Sequence, residues 1–167
     1  MIYKTCLYTL LMLVLVGCDN SSSKQILTPQ AVTRDDIGYY CNMIVADHSG
    51  PKGQILLSNK EKAIWFTSVR DAVAFTLLPE EPNNIAAFFV TTMDESDWEH
   101  PEKQNGNWIQ AKSAWYVINS KRRGGMEQME VIPFKQKRFA SEFIQQYEGD
   151  IVSYIDIPKD YILGNTH

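Results

Sequence analysis

The chain has 167 residues, a formal net charge of −4 and a sequence pI of about 5.4, with 44% hydrophobic and 22% charged residues. That length suits one domain or two small ones, and the composition is that of a globular protein. No basic run stands out, so no nucleic-acid partner is expected.

The first segment carries Lys4, then an apolar run from Leu7 to Val16 that closes on Gly17-Cys18. It is too short and too abruptly ended for a spanning helix. It resembles a bacterial lipoprotein signal, in which a small residue precedes a Cys that is lipidated and becomes the new N-terminus. Residues 1–17 are therefore expected to be cleaved, with lipid on Cys18 and a tether over 18–32 rich in serine. Asp19 after that Cys resembles an inner-membrane retention signal. On this basis the protein is expected at the periplasmic face of a bacterial membrane. Of three cysteines, Cys6 leaves with the signal and Cys18 is capped, so Cys41 alone stays a thiol. A lone thiol in an oxidising compartment is a liability, which favours a use for it. Multi-cysteine zinc sites and an internal disulfide are ruled out on the same count.

A polar lead-in, 33–38, reaches Tyr39-Tyr40-Cys41-Asn42-Met43, and Met43–Ala46 reads as a strand. In an extended strand, residues i and i+2 face the same way, so Cys41 and Met43 could aim both sulfurs at one point. Soft sulfur ligands select Cu(I), among other soft metals; the alternative is a small buried Cys beside a core Met. His48 follows, as a nitrogen ligand or as a loop histidine bonded to backbone. Gln54–Ser58 and Ala63–Phe66 read as further strands. Thr67 or Ser68 can cap a helix carrying Val69, Ala72, Val73 and Leu77 on one face, bounded by Pro79 and Pro82. Ile85–Thr91 fits a buried strand.

Residues 93–107 form an acidic stretch, expected to be a solvated loop connecting two halves, with a hard-cation site as the lesser alternative. Neither His100 within it nor the terminal His167 is given a role. Beyond it the order repeats. Ser113–Asn119 reads as a strand, Lys121–Met126 as a turn, and Met129–Phe134 as a strand. Lys135–Tyr147 reads as an amphipathic helix capped by Gly149, and Asp150–Ile157 as a last strand. Lys121-Arg122-Arg123 is an anion cradle or, more simply, a charged strand end that discourages edge pairing. Met126 and Met129 lie near Gly124-Gly125, outside any apolar run, and are candidate thioether ligands. The architecture expected is α+β: one β-β-α-β unit over 33–92 and a second over 108–167, packed side by side.

Over nearly the whole mature chain the sequence resembles the nitrous-oxide reductase accessory lipoproteins of the NosL type. The strings that carry the resemblance are Tyr40-Cys41-Asn42-Met43, His48-Ser49-Gly50-Pro51-Lys52-Gly53-Gln54, Trp65–Ala72, Leu78–Pro82, Ala114–Val117, Arg123-Gly124-Gly125-Met126 and Ile157–Tyr161. Asn42 departs from the family, where Gly is common. The resemblance implies a pair of β-β-α-β units related to an organomercurial lyase domain. It also implies a periplasmic copper chaperone that binds one Cu(I) per monomer. Its expected partners are the membrane ABC-transporter complex that matures nitrous oxide reductase and, directly or indirectly, the apo reductase itself. The ligands expected for Cu(I) are Cys41, Met43 and Met126, with His48 or Met129 as a further or exchanging ligand. Lyase chemistry needs two cysteines, so no enzyme is expected. The competing readings are a thiol enzyme with Cys41 activated by His48, and a structural lipoprotein without a site.

Overall fold

The computed structural model describes residues 27–164. The signal segment expected over 1–17, Cys18, Asp19, the first part of the expected tether and His167 lie outside them. The fold is α+β, with two antiparallel sheets. The first contains β1 (Gly53–Leu57), β2 (Ile64–Phe66), β3 (Ile85–Thr91) and β4 (Trp108–Gln110), in the order β2-β1-β3-β4. The second contains β5 (Trp115–Ile118), β6 (Ile132–Phe134) and β7 (Asp150–Ser153), in the order β6-β5-β7. Helix α1 (Val69–Leu77) follows β2 and helix α2 (Lys137–Tyr147) follows β6. The path strand, strand, helix, strand thus occurs twice, each time with the first strand central.

The halves share one core. Ile55, Phe66, Val69, Phe75 and Val90 of the first pack with Tyr116, Ile118 and Val131 of the second, each at most a few per cent exposed. Tyr116 is wholly buried and its hydroxyl donates to the Ala111 carbonyl at 2.6 Å, so its polar end is satisfied. Pro133, which has no N–H to give, lies on the edge strand β6, where it costs no ladder bond. Its carbonyl accepts from the Met93 N–H at 2.8 Å and ties the halves together.

Several elements differ from the sequence expectation. Met43–Ala46 is not a strand: one bridge joins Ile37 to Ile44, and Val45–Asp47 then forms a 3-10 turn. A single bridge is all that fits between the tight loop at 38–43 and that turn. β4 pairs with β3, so the acidic segment 93–107 connects two strands of one sheet rather than two halves. The strand expected from Met129 begins only at Ile132. The last strand stops at Ser153, whose hydroxyl donates to Asp156 across a 3-10 turn at Tyr154–Asp156. A short helix, α3 (Lys159–Leu163), follows and seats Ile162 in the core. The end of the tether is docked rather than free. The Gln54 side chain accepts from the Gln30 N–H at 2.7 Å and donates to the Gln30 carbonyl at 3.0 Å, as a neighbouring strand would. Leu27 packs against the cluster of Leu56, Ala87 and Phe89.

Candidate metal centre

Cys41 sits on a closed loop. The Gly38 N–H donates to the Met43 carbonyl at 2.8 Å and the Asn42 N–H to the Gly38 carbonyl at 2.9 Å. Closing so few residues puts Asn42 at φ 56°, the left-handed region that Gly and Asn tolerate best. Asn at this position therefore suits the turn. The loop is pinned from outside: the Tyr39 and Tyr40 hydroxyls donate to Glu81 at 3.1 and 2.8 Å, and the Tyr39 ring packs on Phe66 and Phe75. The Glu81 carboxylate beside Tyr39 and the burial of Tyr40 each push the phenol pKa up. Gly38 lies against the thiol, where an added Cβ would come within 2.5 Å of Cys41 Sγ. Only glycine leaves room for the sulfur.

The thiol faces Thr67, with Sγ and Oγ1 3.4 Å apart, and the same hydroxyl donates to Met126 Sδ at 3.5 Å. Both sulfurs therefore converge on one oxygen, in a chain that runs from thiol to hydroxyl to thioether. Thr67 is free for this because Ser68 takes the helix cap, accepting from the Asp71 N–H at 3.4 Å. Thr67 is almost fully buried, while Cys41 and Met126 are half-buried.

Met126 reaches this point because two loops touch backbone to backbone. A Cβ on Gly125 would collide with the Ser49 carbonyl, so any side chain there would push the Met126 loop away. The Gly50 N–H donates to the Trp98 carbonyl at 2.6 Å and holds the facing loop from behind. That facing loop is organised by Lys52, which is 0% exposed and donates Nζ to the carbonyls of His48, Ser49 and Gly50 at 2.6, 3.1 and 2.7 Å. Burial pulls the Lys52 pKa down to about 8, against the pull of Glu102, Glu130 and Glu99.

Glu130, also buried, spans the seam on the other side. One carboxylate oxygen accepts from Ser68 Oγ and the backbone N–H groups of Arg70 and Val131, at 3.1, 2.9 and 2.8 Å. It sits at the N-terminus of α1, where a negative charge is favoured. Burial still pushes its carboxyl up to about 7.

Of the five candidate ligands, the hydrogen bonds join Cys41 and Met126. Met43 lies on the same closed loop and is 37% exposed, and Met129 is exposed beyond the Gly-Gly turn. The His48 carbonyl is engaged by Lys52, while no hydrogen bond links its ring to Cys41 among the described residues. Sequence reasoning missed Thr67, read only as an alternative cap, and the buried ions Lys52 and Glu130. The strings around Lys52 and Gln54 do hold a signal: two long polar side chains lie two residues apart at the start of a buried strand.

The family model described as NosL matches residues 29–162. The copper-binding lipoprotein NosL of Achromobacter cycloclastes is 35% identical over 153 residues, covering 90% of this chain and 78% of that protein. Its counterpart from Stutzerimonas stutzeri is 30% identical over 156 residues, covering 93% and 80%. The crystal structure of the copper chaperone NosL from Shewanella denitrificans superposes with a TM-score of 0.72 at 30% identity, covering 79% of this chain and 96% of that one. The solution structure of apo-NosL from Achromobacter cycloclastes gives 0.51 at 34% identity, covering 70% and 92%. All are described as NosL proteins, three of them as binding or chaperoning copper, and none as an enzyme. The chain thus belongs to the NosL family.

Proposed function

We propose that the protein is a copper chaperone that carries one Cu(I) held by Cys41, Met126 and Met43 and passes it on for the copper centres of nitrous oxide reductase. The observation that carries this is the convergence of a thiol from the first half and a thioether from the second on the Thr67 hydroxyl. A thiolate with thioethers matches the softness of Cu(I). The ion would displace the weak bonds through Thr67, and Met43 would need only to turn its exposed side chain inward. His48 and Met129 serve as exchange ligands on this reading. The relatives are described as copper-binding or copper-chaperone proteins, which favours this reading over a thiol enzyme.

Met126→Leu keeps the volume and removes the sulfur. Its Cu(I) affinity is expected to fall on the order of tenfold to a hundredfold, about 1.4–2.8 kcal/mol, in competition with a Cu(I) chelator. Met129→Leu should change it much less. Equal affinity for Met126→Leu and the parent would sink the two-half site. X-ray absorption of the loaded protein should count mainly sulfur neighbours.

The delivery partners on this reading are the membrane ABC-transporter complex of reductase maturation and the apo reductase. The protein would work at the periplasmic face of the inner membrane, anchored by acyl chains on Cys18. More than one chain is needed for stable anchoring. Cys18→Ser is expected to move the protein from the membrane to the soluble fraction; retention on membranes after that change would rule the anchor out.

A further inference from the structure

Taking the protein as the Cu(I) carrier proposed above, we infer that Thr67 is the positioning residue of the sulfur site. Its hydroxyl holds Cys41 and Met126 together in the metal-free protein, and turns its hydrogen to the thiolate when Cu(I) enters. The side chain is held in place by the first half alone. Thr67 follows directly on β2, precedes the Ser68 cap of α1 and is almost fully buried. Its methyl group lies against Gly38, where an added Cβ would come within 3.1 Å of it. Gly38 is tied to the same strand: it bridges to Trp65, and the Tyr39 N–H donates to the Trp65 carbonyl at 2.8 Å. A β-branched side chain has few χ1 states, so seating the methyl also aims the hydroxyl. Met126 has no such constraint of its own. Its chain is unbranched and flexible, and its loop is set against Ser49 through Gly125.

Counting hydrogens gives the chain of bonds a direction. A hydroxyl carries one hydrogen, and a thioether can only accept. That hydrogen therefore goes to Met126 Sδ at 3.5 Å. At Cys41 the Thr67 oxygen must then accept, and the thiol donates across 3.4 Å. Cu(I) entry reverses the order. The Cu–S bond forms as the S–H bond breaks, the proton leaves to water, and no electron is transferred. The thiolate can no longer donate, and as a charged acceptor it draws the hydroxyl hydrogen more strongly than a neutral thioether does. Rotation about the Thr67 Cβ–Oγ1 bond moves the hydrogen from Met126 to Cys41 and leaves the Met126 lone pairs to the metal. An apolar side chain here would place neither sulfur. An amide, with two hydrogens to give, would hold Met126 back.

The test compares two substitutions in the full chain. Thr67→Val keeps the shape and removes the hydroxyl, whereas Thr67→Ser keeps the hydroxyl and removes the methyl. In competition with a Cu(I) chelator, Thr67→Val is expected to lose about tenfold in affinity and Thr67→Ser to stay within about threefold of the parent. A role in packing alone predicts the reverse order, since valine fills the site and serine does not. A second readout needs no copper. With isotope-labelled methionine methyls in the metal-free protein, the Met126 resonance should shift or broaden in Thr67→Val, hold its place in Thr67→Ser, and leave Met129 as the unmoved reference. A parent that fails to hold Cu(I) would sink the carrier reading, while this spectrum still decides whether Thr67 places Met126. Cu(I) affinity equal to the parent's in Thr67→Val, a fall in Thr67→Ser as large as in Thr67→Val, or a Met126 methyl indifferent to loss of the hydroxyl overturns the assignment.

Discussion

Cys41→Ser is expected to abolish Cu(I) binding under conditions where the parent holds one ion against a chelator. The substitution replaces a soft anionic sulfur with a hard neutral hydroxyl of nearly the same shape. The remaining thioethers are neutral and weak, so affinity should fall on the order of a thousandfold or more, about 4 kcal/mol. Fold stability should change little. The thiol makes one long contact, 3.4 Å to Thr67, which a serine hydroxyl can also approach. Thermal unfolding of both metal-free proteins, run beside the chelator competition, separates loss of ligand from loss of fold. A Cys41→Ser protein that still competes for Cu(I) within tenfold of the parent would remove the thiolate from the site. Iodoacetamide gives an independent view: Cu(I) should protect Cys41 in the parent, whereas a catalytic thiol would be modified at the same rate with or without the metal.

The largest effect on stability is expected at Lys52. Lys52→Met keeps the length of the side chain but leaves three carbonyls, of His48, Ser49 and Gly50, without their donor. Leaving a buried polar group without its partner costs roughly 1–3 kcal/mol for each group. That loop is the surface on which Gly125 rests, so its loosening should also weaken Cu(I) binding through Met126. The pH dependence carries a second signature. Lys52 titrates near 8 in the fold against 10.5 when free, because burial penalises its charge. Between those values the unfolded chain binds more protons than the native one, so the parent gains stability as pH rises. The gain from this group is roughly 2 kcal/mol between pH 7 and 9.5; tyrosines begin to ionise at the top of that window, and the comparison with Lys52→Met cancels their share. Urea unfolding of the metal-free protein across that window should show the rise in the parent and its loss in Lys52→Met. Parallel pH profiles for the two proteins would mean that Lys52 is not desolvated in the fold.

Hydrophobic pattern and turn chemistry within the chain were enough to establish β1 to β3, β5, both main helices and their repeated order. Local physics decides those elements: alternating or continuous apolar runs, a Ser cap at α1, and glycine after α2. The same residues made Cys41, Met43 and Met126 candidates, because thiol and thioether chemistry belongs to a side chain wherever it sits. What the sequence could not set was which candidates meet. Met126 and Cys41 are brought together by backbone contact between Gly125 and Ser49, a packing of loops far apart in the chain. The strand expected over Met43–Ala46 likewise gave way to one bridge and a 3-10 turn, since the hydrogen bonds that close the loop at 38–43 leave it no room. Thr67 and Glu130 carry no pattern that distinguishes a solvated polar residue from a buried one, and Lys52 carries only its place beside Gln54 at the start of a buried strand. Their roles arise only when the two halves fold over them, because burial makes a hydroxyl, an ammonium or a carboxylate seek a partner inside the protein.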